Sequence, residues 1–411
     1  MKVLMFGWEF PPFNSGGLGT ACHGLTKGLA THGADVTFVL PKAPEDAHSE
    51  HVKLLVANNL KHVKHLKIKE VDSLITEYVT SDSYDERYKE FIHHHRGQDK
   101  GNLYGTDLHQ EVYRYGEIAK LIAKEEDFDV IHAHDWLTYQ AGINAKKESG
   151  KPLVVHVHAT EFDRTGGHAV NEYVYNLEKE GMQKADSVIT VSAFTKAMVV
   201  EHYGIDPNKI EVVHNAVEFT EVPEESRIRE DEKVVLFLGR ITIQKGPDWF
   251  LYAAKRVLEH MDNVKFVVAG SGDMEPLIIQ KAAEMGMADK VLFAGFLRGK
   301  EIDRAYKMAD LYVMPSVSEP FGITPLESMR NGTPVLISKQ SGVSEVITHC
   351  LKADFWNVDE MADKMISTLK LDALHQTLSE NGSQEVRKFS WDDPAAKCMD
   401  VYKKALGESH G

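Results

Sequence analysis

The sequence predicts an α/β protein built from two doubly wound parallel-sheet domains, and three observations carry that prediction. Apolar, β-branched runs alternate with helical patterns along almost the whole chain. They read KVLMFG, DVTFVL, DVIHAHD, LVVHVHA, SVITVS and IEVVHNA, then VVLFLG, VKFVVAG, KVLFAGF, LYVMPS and PVLIS. Strands that are apolar on both faces and separated by helices belong to a parallel sheet covered on both sides. The alternation breaks once, at VEFTEVPEESRIREDEK (217–233), a charged, proline-bearing linker. Finally, 411 residues exceed what one core ordinarily encloses, and 43% hydrophobic composition is ample for two. The domains are placed at 1–216 and 217–395. The amphipathic DPAAKCMDVYKKAL that follows can pack on either.

Composition excludes some roles. A formal net charge of −15 argues against a protein that works on nucleic acid or an anionic membrane. Cys22, Cys350 and Cys398 are scattered, with no C-x-x-C, as suits a reducing compartment. The opening MKVLMFGWEF lacks the apolar core of a signal peptide, and no apolar run reaches the ~18 residues of a bilayer span. A cytoplasmic protein without a transmembrane segment is expected. Residues 80–105, with His93, His94, His95 and Arg96, read as a solvated loop insertion, since a metal site there needs a defined fold around it.

Ligands of open α/β sheets bind beyond the carboxyl ends of the strands, so the strand-to-helix loops are taken in order. The first is WEFPPFNSGGLGT, where Gly16, Gly17 and Gly19 let backbone approach a phosphate at a helix start. The dinucleotide pattern G-x-G-x-x-G fails here, because counting from Gly17 ends on Cys22; counting from Gly270 ends on Glu275. A plain glycine turn and a phosphate loop both remain open. Next come IHAHDW and VHVHATEFDR, which set His132 with His134 and His156 with His158 on common strand faces. Such pairs can hold zinc, with Asp135 or Asp163 completing a hydrolytic site, or can be hydrogen-bonded histidines beside a cleft.

The second domain has a different emphasis. GRITIQKG puts Arg240 and Lys245 between a strand and a helix, a pair of cations suited to a diphosphate. The loops at Ser271–Gly272 and Phe296–Leu297 can flank a base. SEPFGITPLE then offers the backbone N–H groups of Phe321, Gly322, Ile323 and Thr324 at a helix N-terminus, with Glu327 on the helix and Glu319 before it. Glu327 can take both hydroxyls of a ribose and Glu319 stands free to meet a sugar, or either is a surface acid favoured near a helix N-terminus by the dipole.

Together, the GGLG loop, HAHDW, ADSVITVS, VVHNAV, GR-x4-KG, EPFG-x3-LE and the final FSW resemble retaining, nucleotide-sugar-dependent glycosyltransferases of the two-Rossmann-domain (GT-B) type. The likeness is to the large family that includes archaeal-type glycogen synthases and sucrose synthases. It implies two Rossmann-like domains facing a cleft, acceptor-binding at 1–216 and donor-binding at 217–395, with a final helix (396–411) crossing back to the first. It further implies that Arg240 and Lys245 hold the donor diphosphate, Glu327 the ribose, and that Glu319 and His158 contact the donor sugar near the reacting carbon. Gly16 and Gly17 would touch the diphosphate or acceptor, and Asp135 and Glu9 the acceptor or sugar. No metal and no cofactor are implied, and no Asp-x-Asp suited to a metal–diphosphate bridge stands out. Asn14-Ser15-Gly16-Gly17-Leu18 stands where bacterial glycogen synthases have K-T-G-G-L, and Glu327 where that branch has tyrosine. Both favour the archaeal-like branch, using UDP- or ADP-glucose. Transfer of glucose to an α-glucan is implied first; the alternative is another retaining glucosyl- or mannosyltransferase of the same family acting on a small-molecule, lipid or cell-envelope glycan acceptor.

Overall fold

The computed structural model describes residues 1–11, 16–41, 49–57, 106–219 and 232–407. Asn14, Ser15, the His93–His95 run and most of the linker therefore lie outside the described residues. The first sheet contains β1 (Lys2–Phe6), β2 (Asp35–Leu40), β3 (Lys53–Val56), β4 (Val130–His134), β5 (Leu153–Val157), β6 (Ser187–Thr190) and β7 (Ile210–Val212). Their order is β3-β2-β1-β4-β5-β6-β7, every pair parallel. The second contains β8 (Lys233–Leu238), β9 (Val264–Ala269), β10 (Val291–Gly295), β11 (Leu311–Met314), β12 (Val335–Ser338) and β13 (Leu351–Ala353), in the order β10-β9-β8-β11-β12-β13, again all parallel.

The doubly wound class is thus as the alternation implied. In each sheet the strand order reverses beside the first strand, between β1 and β4 and between β8 and β11, and a crevice opens there. Two strands escape the sequence pattern: β3 and β13 lie at sheet edges, are only three or four residues long, and are only partly buried. A short edge strand lacks the continuous apolar run that marks β4 and β5, which are buried throughout.

Helix Asp392–Ala405 returns to the first sheet. Trp391, Ala395, Cys398, Val401 and Tyr402 form one apolar stripe packed with Leu25, Leu29, Val3 and Met5. Its partner, helix Gly17–Thr31, permits this approach through Gly24, where an added Cβ would lie 2.1 Å from the Trp391 indole. Gly24→Ala is therefore expected to destabilise the first domain by about 1–3 kcal/mol through overpacking, despite alanine's better helix propensity. Urea unfolding followed by Trp391 fluorescence measures it; an unchanged or stabilised variant would refute the tight packing.

Candidate active site

Four histidines form a stack at the carboxyl end of β4 and β5. Parallel register sets His134 beside His156. Neighbouring ring centroids in the stack are 4.2–5.4 Å apart, as in His132–His134 (4.3 Å), His132–His156 (5.4 Å) and His156–His158 (4.2 Å). His132, His134 and His156 are buried, whereas the His158 ring still reaches solvent. At the buried end His132 Nδ1 is hydrogen-bonded to the Tyr402 hydroxyl at 2.6 Å, tying the returning helix to the stack. At the open end His134 Nδ1 and His158 Nε2 share a hydrogen bond of 2.9 Å, so His134 orients His158.

Asp135, expected near the acceptor or sugar, stands beside His158. It is buried, and its Oδ1 accepts the amides of His158 (2.6 Å) and Ala159 (3.3 Å). It holds the loop that presents His158. The cost is visible in its backbone, at φ 57 outside glycine's usual monopoly. Asp163, considered as a metal ligand, instead forms a capping box with Thr160 at helix Glu161–Thr165 and accepts a bond from Ser318 of the second domain at 2.6 Å.

Across the crevice, Lys245 closes the 3₁₀ turn Ile243–Lys245, and its Nζ lies 2.5 Å from Glu319 Oε2. Glu319 is not the free carboxylate that the sequence suggests. It is buried, it also accepts from Ser316 Oγ (3.1 Å), and its backbone bridges to the segment around Ser341. A lysine ammonium has three donors, so one bond to Glu319 fixes Nζ while leaving donors for a ligand. Gly322 adopts φ 99, a left-handed turn that glycine permits, and starts helix Ile323–Arg330, whose first amides have no intrahelical partner. Glu327, one turn on, accepts the Tyr306 hydroxyl at 3.3 Å, and burial raises its pKa. Thr324 Oγ1 accepts from Tyr312, so its side chain faces the core. Arg240 is exposed and bonds Gln244 at 3.3 Å, and Phe296 lies under the Arg298 guanidinium, 5.3 Å from ring centre. Gly16 and Gly17 open the first long helix, and an added Cβ at either would meet no atom within 4 Å. Glu9 is half-buried near Cys22, whose thiol feels its charge.

The two sides meet through side chains that the sequence does not mark. Besides Asp163–Ser318, Ser192 and Thr195 donate to the Pro320 carbonyl at 2.5 and 3.1 Å. Glu345 of the second domain accepts the first amides of helix Ala193–Tyr203 and bonds His214. Ser318, Tyr306 and His134 are absent from the site that the sequence proposes: a lone serine or tyrosine carries no pattern, though the His-x-His spacing does flag His134's strand face.

The buried groups set a pH profile. Burial lowers His132 and His158 to about 3 and His134 and His156 well below the usual 6.5. The unfolded chain protonates these rings first, so their contribution to stability is full above about 6.5 and is lost as pH falls toward 3. Asp135 and Glu178 act oppositely: burial raises them to about 6 and about 7, and Asp163 and Glu327 are raised too. Their contribution is full below about pH 4 and is lost as pH rises through 6 to 7, so on acidification they offset part of the histidines' loss between about pH 7 and 4 and add nothing further below that. Stability should therefore begin to decline below about pH 6.5, more gradually while the carboxyls offset part of the loss, and fall steeply below about 4. Urea midpoints between pH 3 and 7 test this; level stability down to pH 3 would contradict neutral, buried rings.

Comparison with known proteins fits this arrangement. Residues 15–221 match the family model described as Glycosyltransferase Family 4, and residues 218–385 match Glycosyl transferases group 1. An uncharacterized glycosyltransferase of Methanocaldococcus jannaschii is 31% identical, over 99% of both chains. A glycogen synthase of Mycobacterium tuberculosis is 28% identical, over 98% of this chain and 95% of its own. The structure of a sucrose-phosphate synthase from Thermosynechococcus elongatus superposes with a TM-score of 0.78 at 19% identity, covering 99% of this chain and all of that one. The chain belongs to this glycosyltransferase family. It is a sugar-transferring enzyme of GT-B architecture, and no described helix is long and apolar enough to cross a membrane.

Proposed function

We propose that the enzyme moves a hexose, glucose in the first instance, from a nucleoside diphosphate sugar to the non-reducing end of an α-1,4-glucan, with retention at the anomeric carbon and without a metal ion. The observation that carries this reading is the Lys245–Glu319 pair beside the N-terminus of Ile323–Arg330, facing the His158 loop across a crevice bridged by Asp163 and Ser318. Breaking the anomeric C–O bond leaves negative charge on the diphosphate and positive character on the sugar. Lys245, Arg240 and the helix amides at Phe321–Thr324 receive the first as preorganised electrostatics. Glu319, neutralised on one side by Lys245, and His158, neutral at working pH, line the sugar. Glu327, held by Tyr306, takes the ribose, and Phe296 borders the base.

Retention follows if the acceptor hydroxyl attacks from the face that the diphosphate leaves, a phosphate oxygen taking its proton. The glycogen synthase relative supports a glucan acceptor. The test is incubation with labelled ADP-, UDP- and GDP-sugars, with and without glycogen, in EDTA. Polymer-bound label that persists in chelator supports the reading. Label appearing only on a small or lipid acceptor would transfer the proposal to the alternative acceptor class.

A further inference from the structure

We infer that Cys22, His134 and His158 form a binding site for a thiophilic divalent ion, zinc in the first instance, and that an ion there blocks sugar transfer. One ligand atom from each of the three residues lies within 4.8 Å of the others. Cys22 comes from helix Gly17–Thr31, His134 from the end of β4, and His158 from the loop after β5, so the fold alone assembles the set. The second observation is chemical. His134 and Cys22 are fully buried, and His134 Nε2 has no hydrogen-bond partner among the described residues. With its proton on Nε2, the ring can turn Nδ1 to an ion and give up only the bond to His158.

Geometry distinguishes this set from the deeper one. His132, His134 and His156 also lie within 4.8 Å, but the His132 and His156 rings are 11° from parallel. Imidazole lone pairs lie in the ring plane, so parallel rings point their nitrogens side by side rather than at one ion. His134 and His158 are tilted by 34°, and their nitrogens already face each other at 2.9 Å. Two nitrogens on a tetrahedral zinc, at about 2.0–2.1 Å each, stand roughly 3.3 Å apart. Widening the hydrogen-bonded pair by a few tenths of an ångström admits the ion, and His158, at the solvent edge, is the ring that can move. The charges of Glu9 and Asp135 bear on the Cys22 thiol, which makes the pocket attractive to a cation.

Binding replaces the N–H···N bond by two N–metal bonds and the S–H bond by an S–metal bond. Each imidazole stays neutral with its N–H on the nitrogen away from the ion, and the thiol proton leaves to solvent. The inhibition rests on the proposed role of His158 at the sugar; the binding does not.

The full-length protein, freed of metal with chelator, is titrated with Zn²⁺ and with Co²⁺ in the absence of any sugar nucleotide. One equivalent should bind with release of one proton, and Co²⁺ should give a thiolate-to-cobalt charge-transfer band. Cys22→Ser and Cys22→Ala should lose that band and weaken binding at least tenfold, while Cys350→Ser keeps both. In transfer assays Zn²⁺ should inhibit the wild type reversibly, and Cys22→Ala should transfer normally but need at least tenfold more zinc for half-inhibition. Absence of a thiolate–cobalt band, or equal binding by Cys22→Ala and wild type, overturns the site. Stoichiometric binding without inhibition keeps the site and overturns only the role of His158.

Discussion

Lys245→Ala is expected to lower sugar transfer about 10²–10³-fold, the scale on which deleting one preorganised donor to a developing anion raises a barrier, about 2.7–4 kcal/mol. It should also lower stability, because Glu319 then keeps a buried negative charge with only Ser316 to compensate it. Arg240→Ala separates the two effects. Arg240 is exposed and, among the described residues, is held by one weak bond to Gln244, so its removal should slow transfer on the same scale and leave unfolding unchanged. Steady-state rates with the donor that the labelling experiment selects, alongside thermal unfolding of both variants, make the comparison. Near-normal transfer by Arg240→Ala would remove the diphosphate assignment for that residue, and near-normal transfer by Lys245→Ala would remove it for the loop. Lys245→Arg should recover stability before it recovers rate, since a guanidinium preserves charge but not the compact ammonium geometry.

The largest effect on stability should come from Arg164→Met. Arg164 donates from Nε to Glu161 at 3.1 Å, from Nη1 to the Ala159 carbonyl at 3.1 Å, and from Nη2 to Glu178, which also receives the Tyr203 hydroxyl. Glu161 and Glu178 are 1% and 3% exposed. Removing the guanidinium strands two buried carboxyls, for which about 3–5 kcal/mol is the usual loss. Burial already raises Glu178 to about 7, so below neutrality it can take a proton and shed part of the penalty. The destabilisation should therefore grow as pH rises from about 6 to 8, and Glu178→Gln added to Arg164→Met should recover part of it. Thermal unfolding of the single and double variants across that range decides the point; a pH-independent loss would mean that packing, not charge, dominates. The variant should also reduce transfer, because Arg164 anchors the short helix whose Asp163 reaches Ser318.

Several features of the active site are legible in the amino-acid sequence. HAHDW and VHVHATEFDR fall at strand ends because their apolar runs stop there, and the period of two assigns His132 with His134 and His156 with His158 to shared faces. Glycine, proline and the following helical pattern locate the Lys245 and Glu319 loops. At Glu319 the sequence misleads. A carboxylate before a helix N-terminus looks unpaired when only its neighbours in sequence are counted, and its partner stands 74 residues away. The partners of Asp135 are hidden for a related reason, since the amides it accepts lie 23 and 24 residues on.

The sequence by itself determined two doubly wound parallel-sheet domains and which residues fall in their strand-to-helix loops. These depend on local periodicity and on which residues end a strand or start a helix, and such signals are complete within a dozen residues. Only the tertiary structure decided which functional groups neutralise, orient or bridge one another. Lys245 meets Glu319, His134 meets His158, and Asp163 meets Ser318 across separations of 74, 24 and 155 residues. The physical reason is that strand order and register bring distant loops to one crevice, and an alternating apolar pattern is equally compatible with many orders of the same strands.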